Sequence, residues 1–362
     1  MSTASARSPD HPPAGALLGA LAAALAQAGS PWRSAPLTWM PDKGLAHDHV
    51  RLEGTGLLAR IPKQSQMGLD AEGNLRYQRA CFERAYASAH TPRLAGWLPV
   101  SAALPRGALL VEEVAGQPAR LPADLPALAD ALARLHRLPL PEAAARAPLS
   151  SPPDALLAQW DEIATQALHF DAAGVDPAAR RAIARQLERL RVALERPARP
   201  PQRLIAFDAH PGNFLLRADG SAVLVDLEKC RYGTPGLDLA HASLYTSTTW
   251  DRDSCAVLAP GAVLAFYRQW EARAGCELAD AARPWHTLLR RAMWLWSVSW
   301  CAKWRVASAR APDPRPSGED WSAERSSRAL VDHVRERVDH YLSPEVVLRL
   351  TEEFDALDEA LR

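Results

Sequence analysis

Between residues 208 and 228 the chain reads Asp208-Ala-His-Pro-Gly-Asn213-Phe-Leu-Leu-Arg-Ala-Asp219-Gly220-Ser-Ala-Val-Leu-Val-Asp226-Leu-Glu228. No other stretch restricts the fold as much. Phe214–Leu216 and Ala222–Val225 are short runs of strand-forming residues around an Asp219-Gly220 turn, the pattern of a hairpin. A hairpin returns the chain beside its start, so Asp226 can meet Asn213 at one cation. An amide oxygen and a carboxylate suit Mg²⁺, which takes oxygen ligands in near-octahedral geometry and is best held by short loops on rigid strands.

The blocks Asp208-x-His210-Pro211-Gly212-Asn213, Asp226-x-Glu228 and Gly233-x-Pro235-x-x-Asp238-Leu-Ala occur in this order. Together they resemble the aminoglycoside phosphotransferase and choline kinase superfamily, small-molecule kinases. The step from Asp208 to Asn213 also equals the Asp-to-Asn step of a kinase catalytic loop. The resemblance implies an α+β, protein-kinase-like bilobal fold, with a small antiparallel-sheet N-lobe and a mainly helical C-lobe. It implies ATP and Mg²⁺ as cofactors and a small-molecule hydroxyl as acceptor. Asp208 would take the hydroxyl proton. Asn213 and Asp226 would hold Mg²⁺ on the β- and γ-phosphates, with Glu228 assisting indirectly or through a second ion. His210 would shape the loop, and Asp238 would brace it through backbone hydrogen bonds. One departure stands out: the family has His-Gly before the catalytic Asp, and this chain has Ala206-Phe207. It motivates a second reading, a kinase-like nucleotide-binding protein with little or no turnover. A protein kinase is disfavoured, because Asp-Phe-Gly and Ala-Pro-Glu blocks are missing and the sequence after Asp238 continues as helix.

Residues 36–61 read as three strands, at 37–40, 50–52 and 57–61, around two turn signals. The loop at 41–48, with the single glycine Gly44, is where nucleotide phosphates would lie under backbone N–H groups. Arg60 on the third strand is the expected phosphate cation, since a guanidinium binds phosphate bidentately. Lys63 is its rival, read more readily as a solvated strand-end residue. A helix over 74–90 should bring a partner for Arg60. Gln78 aligns with that position and the nearest acid, Glu83, lies five residues later, so either a different helix register or an amide in place of an ion pair is implied. Leu109–Val111 resembles the strand leading to an adenine hinge, where backbone groups of Glu112 to Val114 would serve. Asp124 should cap a helix burying Leu125, Leu128, Leu132 and Leu135 and ending at a structural His136.

The chain's length of 362 residues suits two lobes, and 48% hydrophobic with 23% charged residues is ordinary for a globular protein. We partition it as 1–30 (a disordered tail through residue 12, then a leading helix), 31–118 (N-lobe) and 119–362 (C-lobe). The 42 basic residues balance 42 acidic ones, which offers no electrostatic case for nucleic acid. Five scattered cysteines argue against a disulfide framework and suit a cytoplasmic location. The apolar stretch from residue 14 is too short to span a bilayer and follows a poorly basic leader, so neither secretion nor stable membrane insertion is expected.

The segment Arg283–Arg310 has no acidic residue and carries six cations. Trp296, Trp300 and Trp304 recur every four residues and share a helix face. Such a stripe reads as core packing, with an acceptor-binding wall as the functional alternative. The nearby cations would then favour a neutral or anionic acceptor. The acidic cluster Glu352, Glu353, Asp355, Asp358 and Glu359 reads as a solvated helix end, or else as a wall for a cationic acceptor.

Overall fold

A computed structural model of the chain describes residues 14–41, 44–310 and 326–360. The expected tail through residue 12 lies outside them. Two compact units are present. The first comprises the described residues up to Glu83, Pro92–Val114 and the described part of Ala307–Glu336; the second holds Arg84–Thr91, Ala115–Val306 and Arg337 onward.

The first unit opens with helix α1 (Ala14–Gln27), then strands β1 (Leu37–Trp39), β2 (His47–Leu52) and β3 (Leu57–Pro62), helix α2 (Ala71–Ala85), and strands β4 (Leu94–Leu98) and β5 (Ala108–Glu112). The strands form an antiparallel sheet in the order β1-β2-β3-β5-β4. Leu17, Leu21, Ala24 and Leu25 fall on one face of α1. They pack with Val50, Leu52, Leu57, Ala59, Ile61, Leu98, Ala108 and Leu110 of the sheet. Alternation along β3 sends Leu57, Ala59 and Ile61 into this core, so the intervening Arg60 points to the sheet's other face and toward α2, where its guanidinium lies 5.5 Å from the Phe82 ring.

The second unit is mainly helical. Its elements are β6 (Gln117–Pro118), α3 (Leu125–His136), α4 (Ala155–Ala167), α5 (Pro177–Leu194), β7 (Arg203–Ile205), β8 (Phe214–Leu216), β9 (Ala222–Leu224), β10 (Arg231–Gly233), α6 (Pro235–Ser243), α7 (Tyr245–Thr248), α8 (Pro260–Ala274), α9 (Cys276–Ala282), α10 (His286–Ala307) and α12 (Pro344–Ala360), while α11 (Arg328–Tyr341) belongs to the first unit as far as Glu336 and to this one from Arg337. The Asp154 and Asp176 carboxylates cap α4 and α5. Asp124 does not cap α3 with its side chain; its carboxylate instead accepts from the backbone N–H of Arg120 at 2.7 Å. Leu125, Leu128, Leu132 and Leu135 of α3 are all buried, as their spacing predicts. The expected α+β architecture is present: an antiparallel sheet unit and a mainly helical unit. Among the described residues no helix is long and apolar enough to cross a membrane.

α10 revises the reading of its charges. Arg290 is 1% exposed and donates to Ser243 and to Glu353, while Arg291 donates to Asp355 and Asp358 at 3.1 and 2.6 Å. Arg290 and Arg291 of α10 are therefore neutralised by Glu353, Asp355 and Asp358 of α12, while Arg305 pairs with Asp339 of α11 at 2.7 Å. The reason lies in packing: α10 is buried along its length, and a buried arginine needs a carboxylate. Arg290, Arg291, Glu353, Asp355 and Asp358 are spent on one another and do not stand as an open charged wall; the Glu359 side chain lies outside the described residues.

Candidate active site

The hairpin expected after Asn213 forms. β8 and β9 pair antiparallel with Phe214 opposite Leu224, and the N–H of Val225 donates to the carbonyl of Asn213 at 2.9 Å. Asp226 therefore follows directly on the residue bonded to Asn213. The Asn213 amide nitrogen donates to the backbone carbonyl of Asp208 at 2.8 Å. With the nitrogen so committed, the amide oxygen is the end left for a cation. Glu228 is 3% exposed. Among these donors are an amide oxygen and two carboxylates, hard ligands that fit Mg²⁺. Gly212 is required beside them, because a Cβ there would lie 2.6 Å from that of Asp251.

Asp208 is the centre of a second group. Its Oδ2 accepts from Lys229 Nζ at 2.7 Å, and its Oδ1 lies 3.8 Å from His241 Nδ1. Burial pushes the Asp208 carboxyl up, but the Lys229 ammonium, with His210 and His241, outweighs it against a smaller opposing push from Asp226. The carboxyl ends below its ordinary value. Burial pulls Lys229 down, while Asp208, Glu228 and Asp226 more than restore it, so the lysine is raised and charged. Burial drives His241 down to about 4, so it is neutral near pH 7. Its Nδ1–H donates to the carbonyl of Phe207 at 3.2 Å.

The loop bearing Asp208 is clamped from behind. Asp238, fully buried at the start of α6, accepts from the N–H groups of Ala206 and Phe207, each at 2.8 Å. Trp270 donates to His136 Nδ1 at 3.0 Å, which leaves the proton on Nε2, and Nε2 donates to Asp238 at 3.0 Å. Phe207 takes a left-handed backbone, φ +63°, where the family's glycine would sit without strain. Its ring is held under the Arg231 guanidinium at 3.6 Å and edge-on to Trp296 at 5.1 Å. Glu162 joins this packing by accepting from Arg231 at 2.9 Å and from Trp296 Nε1 at 2.7 Å.

Of the tryptophan stripe, Trp296 reaches this group: its ring lies 5.7 Å from Lys229 Nζ and 6.3 Å from the His241 ring. Trp300 packs against Trp250 at 5.8 Å, and Trp304 is 3% exposed.

In the sheet unit, Arg60 is 5% exposed and donates to His47 Nδ1 at 3.3 Å, and His47 Nε2 then donates to Gln78 Oε1 at 2.9 Å. The partner of the arginine is therefore an imidazole backed by an amide. Glu83 is spent on Arg79 at the surface, at 2.7 Å. Lys63 is buried, not solvated: its ammonium lies 3.6 Å from Asp48 and 3.5 Å from the Gly44 carbonyl. The rest of the glycine loop, residues 42 and 43, lies outside the described residues. At the hinge, the N–H groups of Glu112 and Glu113 bond to the carbonyls of Arg93 and Gly56, and the Glu113 carboxylate pairs with Arg51 at 2.6 Å. These bonds do not engage the Val114 backbone. All five cysteines are free thiols.

Residues 51–278, more than half of the chain, match the phosphotransferase enzyme family, and the chain belongs to it. Solved structures agree on the fold. An ethanolamine kinase from Plasmodium vivax superposes with a TM-score of 0.56 at 13% identity, over 84% of this chain and 81% of that one. A spectinomycin phosphotransferase in complex with ADP and spectinomycin gives 0.56 at 10% identity, over 88% and 93%. The GDP complex of an aminoglycoside 2'-phosphotransferase gives 0.53 at 17% identity, over 87% and 96%. No curated protein matches the chain by sequence.

Sequence reasoning missed Lys229 and His241. The signal for Lys229 was a lone cation directly after Asp226-Leu-Glu228; for His241 it was its place three residues after Asp238.

Proposed function

We propose that the chain transfers the γ-phosphoryl group of ATP to a hydroxyl of a small molecule. The observation that carries this reading is the ionised Asp208 carboxylate on a loop clamped by Asp238, one hairpin away from the oxygen donors Asn213 and Asp226. Membership of the phosphotransferase family supports the reaction class. The solved structures with ADP and GDP support a nucleotide donor, and the compounds named in them support a small acceptor.

Asp208 accepts a hydrogen bond from the acceptor hydroxyl and aims its oxygen at the γ-phosphorus. The new O–P bond forms as the bond to the β–γ bridging oxygen breaks, its electron pair leaving on ADP. The hydroxyl proton passes to Asp208 late, because a loose transition state asks for positioning more than for a strong base. Asn213 and Asp226, with Glu228 beside them, would hold Mg²⁺, which screens the phosphate oxygens when bound. Arg60 and Lys63 would meet the phosphates, aided by the backbone near Gly44. The backbone of Glu112 to Val114 would take the base. Trp296 would border the acceptor. Trp300 and Trp304 would act through packing. We place the protein in the cytoplasm and assign it no nucleic-acid partner.

The test is Mg·ATP consumption in the presence of amino alcohols, sugars, aminoglycosides or nucleosides, with Mg·GTP in parallel. Acceptor-stimulated turnover, with a phosphorylated small molecule as product, is expected. Nucleotide binding with no turnover on any acceptor would favour the non-catalytic reading instead.

A further inference from the structure

Lys229 has no role in the scheme above, yet it makes the shortest polar contact to the proposed base. The pair is enclosed: Lys229 is 9% exposed, and the Asp208 side chain 14%. A buried pair is a poor stabiliser, since desolvating both charges offsets most of their attraction. This ammonium also stands at the end of a carboxylate-rich run, one residue after Glu228 and three after Asp226. Its backbone is anchored in a turn closed by the Cys230 N–H on the Leu227 carbonyl at 3.0 Å, which leaves the four-carbon stem to move the charge.

The two oxygens of Asp208 are differently occupied. Oδ2 holds Lys229, while His241 Nδ1 stands beyond hydrogen-bond length from Oδ1, at 3.8 Å. Oδ1 is thus the oxygen open to an acceptor hydroxyl. A hydroxyl bound there attacks a phosphorus about 3–3.5 Å away, so the phosphoryl oxygens come within a side-chain rotation of Lys229 Nζ.

We propose that Lys229 is a further catalytic residue of the transfer, its ammonium turning from Asp208 Oδ2 onto the oxygens of the phosphoryl group as that group passes to the acceptor. This inference rests on the phosphotransferase reading. The ammonium keeps its three protons throughout and only offers N–H bonds and positive charge. Two changes drive the turn. Mg²⁺ on Asp226 and Glu228 would cancel the carboxylates that hold the lysine back, and the arriving triphosphate brings more negative charge than Asp208 has. The same charge is unwelcome to a fixed cation on the acceptor beside the reacting hydroxyl.

Calorimetric binding of Mg·ADP to the full chain, with and without aluminium fluoride as a mimic of the transferring phosphoryl group, separates this role from a structural one. Wild type should bind more tightly when aluminium fluoride is added. Lys229→Met should keep its affinity for Mg·ADP alone within about two-fold and lose about 10²-fold of the tightening. Lys229→Arg should recover most of it. Equal tightening in wild type and Lys229→Met would overturn the proposal and leave the phosphotransferase reading intact. Loss of Mg·ADP binding itself in Lys229→Met, restored or not by arginine, would also overturn it, by making the lysine a ground-state or structural residue. Wild type that binds no Mg·ADP would overturn both.

Discussion

Phe207 should respond to mutation in an order opposite to that of an ordinary buried residue. Its left-handed backbone, φ +63°, costs a side chain about 1–2 kcal/mol that glycine is spared. The ring is fully buried, with Arg231 over its face and Trp296 against its edge. Removing a buried phenyl ring costs about 3–5 kcal/mol. Ring loss outweighs backbone relief, so Phe207→Gly should destabilise by about 1–4 kcal/mol. Phe207→Ala loses the ring and keeps the strain, which places it near the full 3–5 kcal/mol, on the order expected for a core truncation. At most helix or strand positions alanine beats glycine by about 0.5–1 kcal/mol; here glycine should win. Urea midpoints of the two variants, followed by tryptophan fluorescence, measure the order directly. An alanine variant more stable than the glycine variant would refute the left-handed backbone at 207 and the strain argument with it.

Other substitutions separate the functional groups from the packing. Asp238→Ala orphans two backbone N–H groups and the His136 proton; at about 1–3 kcal/mol per buried donor, the unfolding free energy from urea titration should fall by several kcal/mol, and a change under about 1 kcal/mol would contradict the clamp. Asp226→Asn should lose about 10-fold or more in Mg²⁺-dependent ATP affinity with far-UV circular dichroism unchanged, and wild-type Mg·ATP affinity would remove the metal assignment. Trp304→Ala should cost about 3–5 kcal/mol of stability and leave kinetic constants per folded molecule alone; a selective rise in acceptor KM would return Trp304 to the acceptor wall.

The hairpin was legible in the sequence because everything that makes it is local: two short strands, an Asp-Gly turn, and ligands at its two ends. The buried face of α3 was legible for a similar reason, since helical periodicity alone places Leu125, Leu128, Leu132 and Leu135 together. What stayed hidden depends on distant partners. The partner of Arg60 could not be read because the chain of contacts runs through His47 on the adjacent strand before reaching Gln78, and cross-strand register is not written in either segment. Arg290 and Arg291 of α10 looked like part of an open basic face because the acids that neutralise them lie on α12, about sixty residues later. The tryptophan spacing defined a helix face but not its neighbours, which proved to be Phe207 and Lys229 for Trp296 and another tryptophan for Trp300. The Ala206-Phe207 departure marked the loop as unusual, while the way Arg231 and Trp296 hold Phe207 in a glycine-like conformation emerges only in three dimensions.

The most direct test of Asp208 as the phosphoryl-transfer base is the fate of the γ-phosphate of labelled ATP, supplied with Mg²⁺ and a mixed panel of small alcohols to wild type and Asp208→Ala. The label should appear on a small molecule with wild type, and kcat should fall by about 10²–10⁴ in Asp208→Ala with ATP affinity nearly unchanged. Label carried onto protein, or transfer equal in the two proteins, would contradict it.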